Sequence, residues 1–194
     1  MKMVLASKNQ HKAEEISSIL GESIEIITQD AAGVGDIDVI EDGLTFEENA
    51  TKKAETIMKL TNLPTIADDS GLCVDALDGR PGVYTARFAG ENATDDENIS
   101  KLLSELSGVP EGKRTASFVC VIAVAVPGEE TKLFRGECKG VIAFEKKGEN
   151  GFGYDPVFFV PEYNKSMAEI SPSVKNSISH RSNALKKLKD SLSL

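Results

Sequence analysis

Two adjacent acids, Asp68 and Asp69, follow the short apolar run Thr65-Ile66-Ala67 and precede Ser70-Gly71. A carboxylate at the end of a buried strand can hold a hard divalent cation or take a proton from water. Open α/β sheets bind ligands at that end of their strands. The same four residues would equally make an Asx-type turn that closes the strand. More carboxylates lie upstream. Between residues 30 and 55, eight acids (Asp30, Asp36, Asp38, Glu41, Asp42, Glu47, Glu48 and Glu55) face only Lys52 and Lys53. Most read as a solvated face or as helix N-terminal charge. Glu41 and Asp42, just ahead of a helix, are the best placed to join Asp69 on a metal, and spacing does not choose between them.

Three further segments could handle an anion or a flat ring. Ser7-Lys8-Asn9-Gln10-His11-Lys12 sits where a strand gives way to a helix, so backbone N–H groups and the helix dipole favour negative charge there. It lacks the glycines of a P-loop and of a dinucleotide fingerprint, and it also reads as a plain polar helix start. Near the C-terminus, Lys175, His180 and Arg181 precede or open a helix and could converge on an anion or a keto oxygen. His180 alone would equally suit a structural role. In Gly151-Phe152-Gly153-Tyr154-Asp155-Pro156, glycines let the backbone approach a ligand. There Phe152 could stack on a base and Asp155 could accept hydrogen bonds. A turn with core aromatics fits the same residues.

The elements that must carry these groups follow from periodicity and punctuation. Met3 to Ala6 reads as a buried strand. The helix after it starts near Gln10, with Ala13, Ile16 and Leu20 on one face and Gly21 at its end. Ser23 to Thr28 reads as a second strand, and 30–42 as a loop. Thr45 with Glu48 is a capping box opening a helix towards Leu60, and Thr94 with Glu97 is another. Phe118 to Val126 and Lys132 to Phe144 read as the arms of a long hairpin. Val157 to Val160 is a strand. One last helix carries Ile178, Leu185, Leu188 and Leu192. Strands mixed with helices around a central hairpin predict an α/β mixed sheet, with residues 1–194 as a single domain.

Composition removes whole classes of function. The 194 residues carry 22 bases against 31 acids, a formal charge of −9. That balance argues against a general nucleic-acid binder, which needs a broad basic face. Only two histidines and three scattered cysteines (Cys73, Cys120, Cys138) occur, with no C-x-x-C. A structural zinc site is excluded and a reducing cytoplasm is expected. The cysteines lack an obvious activating neighbour, and no serine sits in a G-x-S-x-G elbow. No secretory signal is expected, and the longest apolar run, Phe118 to Val126, is too short to span a bilayer. Any metal would rest on carboxylate oxygens.

Taken in order, these segments resemble one family. Ser7-x-Asn9-x-x-Lys12, Glu41-x-Gly43-Leu44-Thr45-Phe46-x-x-Asn49-Ala50, Ala67-Asp68-Asp69-Ser70-Gly71-Leu72, Pro81-Gly82-x-Tyr84-x-Ala86-Arg87, Gly151 to Pro156 and Ser179-His180-Arg181 are similar to the inosine triphosphate pyrophosphatases, or XTP/dITP diphosphatases. The resemblance spans nearly the whole chain. The family often has Gly after its first Ser or Thr, where this chain has Lys8.

The resemblance implies a long mixed sheet flanked by helices, in two lobes with a cleft, related in architecture to the Maf proteins. It implies a homodimer. It also implies Mg²⁺-dependent cleavage of ITP, dITP or XTP to the monophosphate and pyrophosphate, which would cleanse the nucleotide pool. By the same resemblance Ser7 to Lys12 and Lys53 hold phosphates, Glu41 and Asp69 hold magnesium, and Asp69 accepts the proton. Ser70, Phe152, Gly153, Tyr154, Asp155, Lys175, His180 and Arg181 complete the substrate contacts. Donors such as Lys175, His180 and Arg181 would suit a 6-keto purine. Adenine's amino group would leave a buried donor unpaired, costing about 1–3 kcal/mol per group. GTP is also 6-keto, so its rejection needs a contact at the 2-amino position. The alternatives are a non-catalytic purine-nucleotide sensor and a pyrophosphatase for other modified nucleotides.

Overall fold

The N-terminal apolar run has the length of one buried strand, and β1 (Lys2–Leu5) forms there with its last three residues buried. The computed structural model describes residues 2–21 and 24–192. Helix α1 (Gln10–Leu20) follows, with Asn9 as its cap and Gly21 ending it at φ 63°. Ile16 and Leu20 form its buried face, as their spacing predicts. Strand β2 (Glu25–Ile27) is shorter than expected. Ser23 lies outside the described residues. Thr28 leaves the sheet because its carbonyl and hydroxyl take the loop amides of Ala32 and Ala31.

Helix α2 (Phe46–Thr61) is capped by Thr45, which accepts from Glu48 N–H at 3.1 Å. The expected box closes only by half, because the Glu48 carboxylate takes Leu44 N–H at 2.6 Å instead. Helix α3 (Asp95–Glu105) has the complete box between Thr94 and Glu97.

Strand β3 runs from Thr65 to Val74 and does not stop at Ala67. Asp68 and Asp69 therefore lie in mid-strand, and no turn forms at Ser70-Gly71. The strand continues because Leu72 and Val74 restore apolar burial beyond the acids.

The predicted hairpin arms are β4 (Thr115–Ala125) and β5 (Lys132–Ile142), neighbours in the sheet joined by 126–131. The expected strand at 157–160 begins one residue late, since Val157 ends a 3-10 turn before β6 (Phe158–Val160). A two-residue β7 (Lys165–Ser166) follows. The last helix is two. Helix α4 (Pro172–Ile178) stops at Ser179, whose ψ of 158° is extended, and α5 (His180–Ser191) restarts at once. Ile178 thus belongs to α4, while Leu185 and Leu188 are buried on α5.

The seven strands form one sheet in the order β2-β1-β3-β4-β5-β6-β7. Strand β1 pairs parallel with β2 and β3, whereas β6 pairs antiparallel with β5 and β7. This is the mixed sheet that the pattern predicts, flanked by helices as the resemblance implies.

Packing divides the chain into two compact units. One comprises Met1–Asp69, Cys120–Gly136 and His180–Leu194, the other Ser70–Val119 and Glu137–Ser179. Each has its own apolar core. The first gathers Ile16 and Leu20 of α1 with Leu185 and Leu188 of α5 against Met3, Leu5, Ile66, Cys120 and Ile122. The second is built on Leu72, Leu102, Phe118, Phe158 and Met167. Among the described residues no helix is long and apolar enough to cross a membrane.

Candidate active site

Successive side chains on a strand leave opposite faces of the sheet, so Asp68 and Asp69 meet different surroundings. Both are buried, at 0% and 5% exposure. Asp68 shares its parity with Ile66, which packs with α1 and α5. Lys12 of α1 reaches Asp68 Oδ1 at 2.5 Å. On Oδ2, Arg181 Nε of α5 donates at 2.9 Å and the Cys120 thiol of β4 at 3.0 Å. Arg181 also donates through Nη1 to Glu15 of α1. Burial works to raise the Asp68 pKa, but Arg181 and Lys12 outweigh it and hold the carboxyl well below its ordinary value. Burial pushes the Cys120 thiol well up, so it stays a donor. Asp68 is thus held as an anion by Lys12, Arg181 and Cys120.

Asp69 faces α2. Lys53, on the buried stripe of that helix, donates to Asp69 Oδ1 at 3.3 Å, to Glu41 Oε1 at 2.8 Å and to the Asp68 carbonyl at 2.7 Å. The second Asp69 oxygen, Oδ2, is buried and has no hydrogen-bond partner among the described residues. Burial raises the Asp69 pKa to about 6 against the pull of Lys53 and Lys12, with Glu41 and Asp68 adding repulsion. A carboxyl at that value exchanges a proton near neutral pH, as a general base must. The adjacent acids have therefore been driven apart, one locked as an anion and one poised to titrate.

The loop before α2 separates the two acids that spacing left open. Glu41 turns inward to Lys53, whereas Asp42 pairs with the exposed Lys52 at 2.6 Å. Asn49 fixes the loop by accepting Gly43 N–H at 2.8 Å. A Cβ on Gly43 would stand 2.6 Å from that Asn49 oxygen, so glycine allows the close approach.

Among the described residues no three His, Cys, Asp or Glu side chains gather to hold a metal ion. Magnesium does not require such a cage, since it keeps several waters and binds through one or two carboxylates plus substrate phosphates. Asp69, whose Oδ2 has no hydrogen-bond partner among the described residues, and Glu41, which shares Lys53 with Asp69 Oδ1, fit such a two-carboxylate site.

The remaining predicted residues of the first unit lie along the start of α1 and α5. Ser7 Oγ accepts Asn9 N–H at 3.2 Å, and Asn9 Oδ1 accepts Lys12 N–H at 3.1 Å. Lys8, Gln10 and His11 are exposed. Lys8 lies 3.8 Å from Asp38, and Gln10 bonds Glu14 at 2.9 Å. His180 opens α5 and is buried.

In the second unit Asp155 organises the glycine loop. Its Oδ2 accepts Phe152 N–H at 3.0 Å and Lys175 Nζ at 2.8 Å, and Lys175 Nζ lies 4.9 Å from the Phe152 ring centroid. Gly153 N–H is fixed by Asp95 Oδ2 at 2.7 Å, and Tyr154 is buried with its hydroxyl on Thr85 O at 2.8 Å. Ser70 is half-buried in β3. Lys175 pairs with Asp155, and Arg181 pairs with Asp68 and Glu15.

A model of the Ham1 family matches residues 3–191. The dITP/XTP pyrophosphatase of Listeria monocytogenes is 51% identical over 193 residues, covering 98% of this chain and 94% of that protein. The dITP/XTP pyrophosphatase of Bacillus subtilis is 51% identical over 186 residues, covering 95% and 93%. The solved Staphylococcus aureus Ham1 protein superposes with a TM-score of 0.90 at 48% identity, covering 100% of this chain and 98% of that one.

The chain belongs to the Ham1 family.

Sequence reasoning missed four residues around the two clusters: Glu15 beside Arg181, Cys120 beside Asp68, Asn49 on the Glu41 loop, and Asp95 on Gly153. Cys120 had only the apolar run around it as a signal, and that run conceals a donor facing an acid. Asp95 was visible as a helix N-terminal acid, but its partner lies 58 residues away. The glycine of the Asp155 loop was legible, and its necessity is now geometric. Gly151 sits at φ 78°, and a Cβ there would stand 2.0 Å from Asp155 Oδ2. Gly151→Ala should therefore cost about 1–3 kcal/mol through left-handed strain, before the displacement of Asp155 is counted. Urea denaturation would measure it, and an unchanged midpoint would contradict the assignment.

Proposed function

We propose that this Ham1-family chain hydrolyses deaminated purine nucleoside triphosphates (dITP, ITP and XTP) to the monophosphate and pyrophosphate. The observation that carries the reading is the buried Asp69 carboxylate. One of its oxygens is held by Lys53 and the other has no partner among the described residues, in a chain about half identical along its length to dITP/XTP pyrophosphatases. Water attacks the α-phosphorus, the bond from that phosphorus to the α–β bridging oxygen breaks, and pyrophosphate leaves. Asp69 takes the water proton on a carboxylate oxygen not engaged by the metal ion. Burial supports this role by keeping its proton affinity near the working pH.

Glu41 and Asp69 would hold Mg²⁺. When bound, that ion neutralises phosphate charge and polarises the phosphoryl oxygen. A triphosphate carries about four negative charges into an acidic protein, so local cations are needed. The Ser7 to Lys12 turn supplies hydroxyl, amide and ammonium groups for the phosphates, with Lys12 steadied by Asp68. Phe152, Gly153, Tyr154, Asp155 and Lys175, with Ser70, His180 and Arg181, are assigned to the rest of the nucleotide. A pool-cleansing enzyme of this kind would work in the cytoplasm, and as a homodimer if it follows the resemblance. A non-catalytic sensor would have no use for a titratable carboxylate in this state.

The reading is tested by a panel of ITP, dITP, XTP, ATP and dTTP with and without magnesium. Turnover should be confined to the deaminated purines and lost on chelation. Equal turnover of ATP, or turnover that survives chelation, would overturn it.

A further inference from the structure

Resting on that reading, we propose that Asp95, the first residue of α3, is a positioning residue for base recognition: through the Gly153 amide it holds the turn from Phe152 to Asp155 in place. Three acids, Asp95, Asp96 and Glu97, open that helix, and favourable charge at a helix start would account for all of them. Their partners separate them. Glu97 closes the capping box with Thr94, and Asp96 pairs with Lys146 at 2.9 Å. Asp95 Oδ2 instead accepts Gly153 N–H at 2.7 Å, from a residue 58 positions away.

The turn needs a hold from outside itself. Gly151 and Gly153 are both left-handed, at φ 78° and 60°, and glycine gives the backbone more freedom than any other residue. Asp155 sets the shape of the turn, accepting Phe152 N–H and Lys175 Nζ on one oxygen. Helix α3 sets its place by two routes. Asp95 takes Gly153 directly. Asn98, three residues on and 3% exposed, donates to the Ala86 carbonyl at 3.1 Å and accepts Ala89 N–H at 2.8 Å. The segment so held carries Thr85, whose carbonyl accepts the Tyr154 hydroxyl at 2.8 Å. The two tethers thus reach consecutive residues of the turn from one helix. Gly153 N–H belongs to the peptide group that follows Phe152, so the bond to Asp95 also fixes the backbone beside the ring assigned to the base. An ionised acceptor makes this bond about twice as strong as a neutral one.

The test is dITP kinetics for wild type, Asp95→Ala, Asp95→Asn and Asp96→Ala, with inhibition by inorganic pyrophosphate. Amide hydrogen exchange of residues 151–157 is followed in the nucleotide-free proteins. Asp95→Ala should raise KM for dITP about tenfold, the worth of one hydrogen bond to a charged group, with kcat within about threefold of wild type. Pyrophosphate has no base, so its inhibition constant should stay at the wild-type value. Asparagine keeps a carbonyl acceptor, so Asp95→Asn should bring KM back to within about threefold of wild type. Asp96→Ala removes the same charge from the same helical turn without touching Gly153, and it should match wild type. Exchange across 151–157 should be faster in Asp95→Ala than in Asp96→Ala.

An unchanged KM in Asp95→Ala, or an equal rise in Asp96→Ala, would overturn the proposal. So would pyrophosphate inhibition that weakens in step with KM, the sign of a general loosening of the fold. A wild-type chain that leaves dITP intact would overturn the functional reading instead, with hydrogen exchange still deciding whether Asp95 holds the turn.

Discussion

Replacing Asp69 by Asn should lower dITP turnover by about a thousandfold or more, and should at the same time stabilise the metal-free protein near neutral pH. The loss of rate follows from removing a general base, worth about 10²–10⁴-fold alone, together with a metal-facing oxygen. The gain in stability follows from linkage. Asp69 has an ordinary value of 3.8 and a folded value of about 6. A group raised in this way contributes stability that is fully present below its unfolded value and is lost as pH rises through its folded value. At pH 7.5 the ionised, buried Asp69 is therefore a cost, on the order of 2–3 kcal/mol from the size of the shift. Asparagine keeps an acceptor for Lys53 and carries no charge. Urea denaturation in the presence of a chelator, from pH 4 to pH 8, should show the variant more stable at pH 7.5 and the difference closing by pH 4. A variant less stable than wild type at pH 7.5 would contradict the burial argument.

Asp68 should behave in the opposite way. Asp68→Asn is expected to destabilise the fold by about 3–5 kcal/mol, the cost of stripping a buried cation of its partner. Arg181 is 1% exposed and Lys12 is largely covered. Asparagine would turn an amide donor towards one of three donors already aimed at that carboxylate. Here the folded pKa is depressed, so the stability is present above the unfolded value of 3.8 and is lost as pH falls through the folded one. The deficit of the variant should thus stay constant from pH 5 to pH 8 and shrink only in stronger acid. Neighbouring aspartates would give opposite pH signatures. Equal stability of Asp68→Asn and wild type at pH 7 would show that the donors around Asp68 do not depend on its charge.

Much of this arrangement is legible in the sequence. The helix starts at Thr45 and Thr94 are, because an N-cap needs only local chemistry. So is the mixed sheet, since β4 and β5 each carry a long β-prone run. The course of β3 through the acids is not. Local propensity ends a strand at Asp-Asp-Ser-Gly, and only the cations of α1, α2 and α5, remote in sequence, make buried aspartates tolerable. The break at Ser179 was hidden for a similar reason, as Ile178 continues the apolar stripe of α5 in sequence while packing with the core of the other unit. Within the site, residue types pointed to Asp69, Glu41 and Lys12. Pairing did not follow from types. Glu41 and Asp42 are adjacent acids, and what separates them is which lysine each meets.

The central claim is that a water activated at Asp69 attacks the α-phosphorus of a deaminated purine triphosphate. Hydrolysis of dITP in ¹⁸O-labelled water, followed by ³¹P nuclear magnetic resonance, tests it most directly. The products should be dIMP and pyrophosphate, with the label in the monophosphate. Release of orthophosphate, or label in the pyrophosphate, would contradict it.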